Sequence, residues 1–287
     1  KTYTETFGAP KGASYIHVLI RTGRTHKIKV MLVQDIFKQL DREFVLELLK
    51  QRLTLKEMCL EYIKITKDKE FEGVVQSYIV ENNQKRKSNT GLSGDLIEWM
   101  ITGIRKSSTK LPDLEELGID IKCLPLELKK SGFFPTEKLS ITSFSNTLVE
   151  KQSFYESNLI SKSKYLMVYF DDTKFKKNKL KVNHFERIVV GVDYVDLCSY
   201  FDVMEKDYNH IKSQLIEHIN GNENAISSKQ YGRDKEEQIL HIKQAGMGAK
   251  QTRQYTSVTG VEYNFFPRKW NIGTTAFSRL FLNKIQP

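Results

Sequence analysis

Residues 111–123 read L-P-D-L-E-E-L-G-I-D-I-K-C, and three side chains in that stretch could do chemistry together: Asp113, Asp120 and Lys122. From Gly118 to Cys123 apolar and charged residues alternate. The period of two predicts a strand with Asp120 and Lys122 on one face and Ile119 and Ile121 on the buried one. Asp113 follows a proline, where a loop or a preceding strand can bring it back beside Asp120. Two carboxylates can hold a hard divalent cation through oxygen. Such a cation polarises a phosphoryl oxygen and acidifies a bound water. A lysine beside it orients that water or stabilises charge building up on phosphorus. Alone, the pattern fits a solvated strand edge at least as well, so the rest of the chain has to decide.

The chain has 287 residues, 39% of them hydrophobic and 11% aromatic, enough for a folded core in one large or two smaller domains. Its formal net charge of +10 points to a polyanionic partner, nucleic acid first. The three cysteines, Cys59, Cys123 and Cys198, are far apart and form no C-x-x-C. That argues for a reducing cytoplasm and against a zinc site or a disulfide framework. Cys123 and Cys59 read as packed thiols. No leader and no apolar run of membrane-spanning length stands in the sequence.

The elements that must position the motif are read from periodicity. Residues 14–33 predict a basic hairpin carrying Arg21, Arg24, Lys27 and Lys29. Residues 35–65 read as helical, with Thr54 to Glu57 forming a capping box. Residues 66–91 read as a polar linker ending in a loop. Residues 91–106 predict a helix buried through Leu96, Ile97, Met100 and Ile101, with Glu98 off that stripe. Strands are expected at 139–144, 164–172 and 185–190, the second being a central strand entered past Lys162 and Lys164. The lysine-rich run 174–181 reads as a hairpin turn or a phosphate-tracking loop. Residues 202–219 make a strongly amphipathic helix. A strand at 238–243 precedes small residues interleaved with Lys250, Gln251, Arg253 and Gln254, the side-chain types that read base edges. Residues 266–271, with Arg268 and a core Trp270, lead to a last helix.

In this order the motifs resemble the MutH-type endonucleases, the strand-nicking enzyme of DNA mismatch repair and related restriction enzymes that cut at GATC. The resemblance runs from about Phe44 to Asn283. It rests on a G-x-x-G-x-L-x-E helix carrying Glu98, on L-P-D…E-L-G-I-D-I-K-C-L-P and on the hydrophobic strand at Leu166. The long helix 202–219, the C-terminal strand with its small residues, and the Pro-Arg entry to the last helix complete the order. The resemblance implies an α/β, PD-(D/E)xK restriction-endonuclease-like fold, with a central mixed sheet flanked by helices. It implies Mg²⁺ held by Asp113 and Asp120, Glu98 as a further acidic ligand, and Lys122 as the catalytic lysine. A second site lysine maps to Lys164 or Lys162. Lys243 and Lys250 fall where the family contacts DNA, and Arg253 and Arg268 are the neighbouring candidates.

The sequence departs from the family in three places. Asp120 stands where Glu is usual, Lys243-Gln-Ala245 replaces an Arg-Pro-Lys signature, and Asn271 replaces an aromatic. The expected organisation is an N-terminal extension over 1–40 and an endonuclease domain over 41–287, with 236–287 in DNA recognition. The expected function is a type II restriction endonuclease acting on double-stranded DNA at GATC-like sites in a bacterial cytoplasm, with no membrane partner. Double-strand cutting would need a homodimer, a second domain or two successive nicks. The alternatives are a mismatch-repair nickase and a non-catalytic DNA-binding module of a two-domain restriction enzyme.

Overall fold

The computed structural model describes residues 33–83, 91–105, 111–178, 183–222, 238–244, 253–265 and 268–282. The basic hairpin, Lys250 and the small residues before it lie outside them. The frame is a four-stranded mixed sheet in the order β2-β1-β4-β5, built from β1 (Asp120–Lys129), β2 (Gly132–Pro135), β4 (Lys164–Asp171) and β5 (Ile188–Asp196). β1 and β4 run parallel, with Asp120 opposite Tyr165, and the other two pairs are antiparallel. β4 is central and nearly all buried. This is why its sequence is a continuous apolar run instead of an alternation.

Alternation along β1 and β4 sorts side chains into two cores. Ile119, Ile121, Leu166, Val168 and Phe170 pack into a helical layer made by α1 (Val33–Gln39), α2 (Glu43–Lys50), α3 (Leu55–Thr66), α4 (Lys69–Asn83) and α5 (Leu92–Thr102). Leu124, Leu126, Tyr165, Met167 and Tyr169 face the opposite core. That core is closed by α9 (Phe201–Ile219), by α10 (Thr274–Phe281), and by a second sheet in the order β3-β9-β6. The second sheet comprises β3 (Leu139–Phe144), β9 (Arg268–Ile272) and β6 (Leu240–Gln244). A separate hairpin, β7 (Arg253–Thr256) with β8 (Glu262–Phe265), sits by α6 (Asn146–Lys151), where Glu150 accepts hydrogen bonds from Val258 N at 2.8 Å and the Tyr263 hydroxyl at 3.3 Å.

Several expectations change here. The helical region 35–65 is three helices, broken where Asp41 and Arg52 adopt left-handed backbone conformations. The capping box holds: Thr54 Oγ1 accepts from Glu57 N at 3.2 Å, and the Glu57 carboxylate accepts from Thr54 N at 2.9 Å. The polar linker is in fact helix α4 as far as Asn83. Phe71 and Val75, one turn apart, are fully buried, and that narrow stripe suffices among the charges. α1 packs Ile36 and Phe37 into the same core as α2–α5, so a boundary after residue 40 would cut through one packed layer. The strand expected from 185 begins only at Ile188, after a 3₁₀ turn at His184–Glu186. The lysine run opens as a short helix, α8 (Thr173–Lys177). The segment before the last helix contains β9, the middle strand of the second sheet, with Trp270 in the core as expected.

Candidate active site

Asp113 returns to Asp120 through a tight local structure. A 3₁₀ turn at Glu115–Leu117 ends at Gly118, whose φ of 64° is left-handed and suits glycine. Leu114 and Ile119 then form an antiparallel bridge, with Leu114 N to Ile119 O at 2.9 Å and Ile119 N to Leu114 O at 3.2 Å. This closure lets Asp113 Oδ2 accept a hydrogen bond from Ile121 N at 2.7 Å. Asp113 is thus held against the backbone of the residue that follows Asp120, at the start of β1. Over its N-terminal half β1 has only β4 as a strand neighbour among the described residues.

Asp120 and Lys122 share a face of β1, as alternation requires, and Ile119 and Ile121 pack on the other. The expected exposure of that face is corrected. Asp120 is 3% exposed because the second core covers this side of the sheet too. A carboxylate so buried needs compensating charge. Lys162 supplies it, with Nζ 2.8 Å from Asp120 Oδ1, and Lys122 Nζ stands 3.8 Å from Oδ2. Lys162 Nζ also donates to Leu111 O at 3.2 Å. Its own backbone is anchored twice. Its N–H donates to Asn158 O, closing the single-turn helix α7 (Asn158–Ser161). Its carbonyl accepts from the Tyr165 hydroxyl, whose residue is the register partner of Asp120. Burial, with the charge of Asp120 adding to it, pushes that phenol well above its ordinary range, so it remains a donor.

Of the two lysines, Lys162 is the one in contact with Asp120. Lys164 lies two residues on, opposite Asp196 of β5, and no ion pair between it and Asp120 is seen among the described residues. No periodicity could separate them, because where β4 begins decides which of the two stands at its entrance and which within it.

Residues 102–190 match the family model described as DNA mismatch repair enzyme MutH. Over this segment, about a third of the chain, the sequence is similar to the MutH family. The matched stretch contains Asp113, Asp120, Lys122 and Lys162, so the convergent residues are those of the MutH-type segment. The mixed sheet flanked by helices is the restriction-endonuclease-like fold expected of a MutH-type chain. The resemblance read from sequence extended over more of the chain than the 102–190 match. No curated protein sequence matches the chain.

Glu98 lies just outside the MutH-type match, on α5. That helix packs through Leu96, Ile97 and Met100 into the helical layer, across β1 from the face that Asp120 and Lys122 share. Glu98 is half-buried and within electrostatic reach of Cys123. Among the described residues no three His, Cys, Asp or Glu side chains are grouped to hold a metal ion. Glu98 stands on α5, while Asp113 and Asp120 lie next to each other along the chain fold at the start of β1. That pair still suits Mg²⁺, which is commonly bound through one or two carboxylates, with waters and substrate phosphates completing its octahedron. Burial pushes the Cys123 thiol up to about 12, so it is a packed donor to Ser93 O and not a nucleophile.

The expected DNA contacts divide. Arg253 is exposed at the start of β7. Lys243 pairs with Lys269 across β6 and β9. Arg268 is corrected: it is 6% exposed, its guanidinium 4.9 Å from the Phe265 ring centroid, because β9 is a middle strand.

One polar cluster near the site was missed in sequence. The Ser93 hydroxyl lies 2.9 Å from His184 Nδ1, and Arg187 Nη1 is 3.3 Å from Ser93 Oγ and 3.4 Å from Nδ1. A guanidinium only donates, so Nδ1 accepts and the proton sits on Nε2. Burial, helped by the Arg187 charge, lowers His184 to about 4 and keeps it neutral. Arg187 also donates to Asp172 Oδ2 at 2.8 Å. Ser93 is 3% exposed, so the cluster braces α5 against the sheet instead of meeting substrate. Its members lie up to 94 residues apart, and no local pattern marks them.

Proposed function

We propose that the chain is a Mg²⁺-dependent, sequence-specific endonuclease hydrolysing phosphodiester bonds in duplex DNA, of the type II restriction kind. The observation that supports this reading is the Asp113 carboxylate bound to the Ile121 N–H beside Asp120 at the start of β1, with Lys122 Nζ 3.8 Å from Asp120 Oδ2, inside the MutH-type segment. Asp113 and Asp120 would hold the cation. When bound, it polarises a phosphoryl oxygen and acidifies a water. Asp113 is oriented by the Ile121 N–H, and Lys122, 31% exposed, can extend toward a phosphate and stabilise its developing charge. The basic balance of the chain supplies general attraction for the polyanion. Arg253, with Lys243 and Lys250, is the proposed recognition set, and GATC-like sites are the proposed targets. Double-strand cutting would involve a second copy, a second domain or two nicks. Three free cysteines suit a reducing compartment, and no helix among the described residues is long and apolar enough to cross a membrane.

The test is incubation of the purified protein with unmethylated plasmid, with Mg²⁺ or with EDTA. Discrete linear fragments that need Mg²⁺ are expected. Open circles alone would make it a nickase, and intact DNA that shifts on a native gel would make it a binding module.

A further inference from the structure

We propose that Lys162 is a cation placeholder: its ammonium occupies the side of Asp120 that a divalent cation takes, and swings off when the cation enters. This rests on the reading of Asp113 and Asp120 as the cation site, and it deepens that reading. Asp120 is a nearly buried carboxylate, and its partner at hydrogen-bond distance is Lys162, 2.8 Å from Oδ1. Lys122, at 3.8 Å from Oδ2, makes an ion pair there but is too far for a hydrogen bond. In the metal-free fold Lys162 therefore holds the Asp120 carboxylate in place.

Lysine suits this task because its charge is a point on a flexible four-carbon stem, where arginine would lock a planar fork on the carboxylate. The Lys162 side chain keeps 16% exposure, so it borders solvent. Its second acceptor, Leu111 O, belongs to a residue on the exposed rim. The ammonium can thus rest on that carbonyl after leaving Asp120, while Asn158 O and the Tyr165 hydroxyl hold its backbone still. A cation arriving at Asp120 must displace or repel the ammonium, so Lys162 weakens cation binding in the free protein.

The experiment is calorimetric titration of the DNA-free full chain with Mg²⁺ and with Mn²⁺, comparing wild type, Lys162→Met, Lys162→Gln and the exposed control Lys176→Met. Removing a unit charge about 4 Å from a divalent ion should tighten binding on the order of tenfold to thirtyfold even with aqueous screening. Both Lys162 variants should show this and the control should not. Thermal melts supply an independent readout. In EDTA Lys162→Met should melt below wild type, because Asp120 keeps only its longer contact with Lys122, and Mg²⁺ should raise its melting point more than it raises that of wild type. Equal or weaker cation binding by both Lys162 variants overturns the proposal. If neither wild type nor variants bind either cation, the placeholder and the cation site fall together. Cleavage by wild type with loss in Lys122→Ala, measured separately, would then still uphold the nuclease reading.

Discussion

Replacing Arg187 by alanine should destabilise the protein by about 3–5 kcal/mol at pH 8, the usual cost of breaking a buried ion pair from one side. The structure gives reasons to expect the full cost. The Arg187–Asp172 contact is 2.8 Å, and the two side chains are 12% and 2% exposed. The change also takes a donor from Ser93 Oγ and removes the charge beside His184 Nδ1. For a chain of this size that corresponds to a fall in melting temperature on the order of 10 °C. The cost should shrink as pH falls from 8 toward 5. The Asp172 carboxyl is already raised, chiefly by burial and against the pull of Arg187, so the folded state binds its proton more tightly than the unfolded chain does. Stability from that protonation is present at low pH and is lost as pH rises through the folded value. Without Arg187 the folded value climbs further, which widens the acid range where the variant recovers. His184 acts in the same sense. Burial and Arg187 hold it near 4, and losing Arg187 removes part of the penalty for charging it in acid. Urea unfolding at pH 8 and pH 5 reads both effects. The double variant Arg187→Met, Asp172→Leu should regain most of the loss, since an apolar pair of similar volume leaves no buried charge. A loss under about 1 kcal/mol, or a double variant no more stable than Arg187→Ala, would refute the reasoning.

The same geometry sets four further outcomes. Lys122→Ala should bind duplex DNA within a few-fold of wild type and lose Mg²⁺-dependent cleavage; unchanged cleavage on a plasmid gel removes Lys122 from the chemistry. Gly118→Ala should cost about 1–2 kcal/mol by denaturant unfolding, because φ is left-handed there. No atom lies within 4 Å of the added Cβ, so a larger loss would point to something other than the backbone. Cys123, pushed up to about 12 by burial, should resist maleimide at pH 8 until the protein unfolds; rapid labelling of the native chain by mass spectrometry would contradict that. DNA affinity should fall at least about tenfold between 50 and 200 mM salt if it rests on phosphate contacts, and a flat response in fluorescence anisotropy would exclude duplex DNA as the partner.

Features that depend on neighbours along the chain were legible in the sequence. Alternation sorted Ile119 and Ile121 from Asp120 and Lys122, because side chains on a strand must alternate faces. The apolar run at Leu166 marked a central strand, and Thr54 to Glu57 marked a helix start, since capping is a local hydrogen-bond exchange. Gly118 sits where a residue tolerant of left-handed backbone makes the turn that returns Asp113 to the Ile121 N–H. Helix α4 carried its own stripe, through Phe71, Val75 and their neighbours, but its many charges masked it. Quantities set by what packs on top needed the folded chain. A strand pattern says which face Asp120 occupies and nothing about whether that face is covered; the second core covers it, and burial makes a lysine partner obligatory. The start of β4 put Lys162, and not Lys164, against Asp120. The middle position of β9 put Arg268 over Phe265 instead of at a surface. Ser93, His184 and Arg187 met because the sheet brought distant segments together, and residues that far apart share no period through which a sequence could announce their contact.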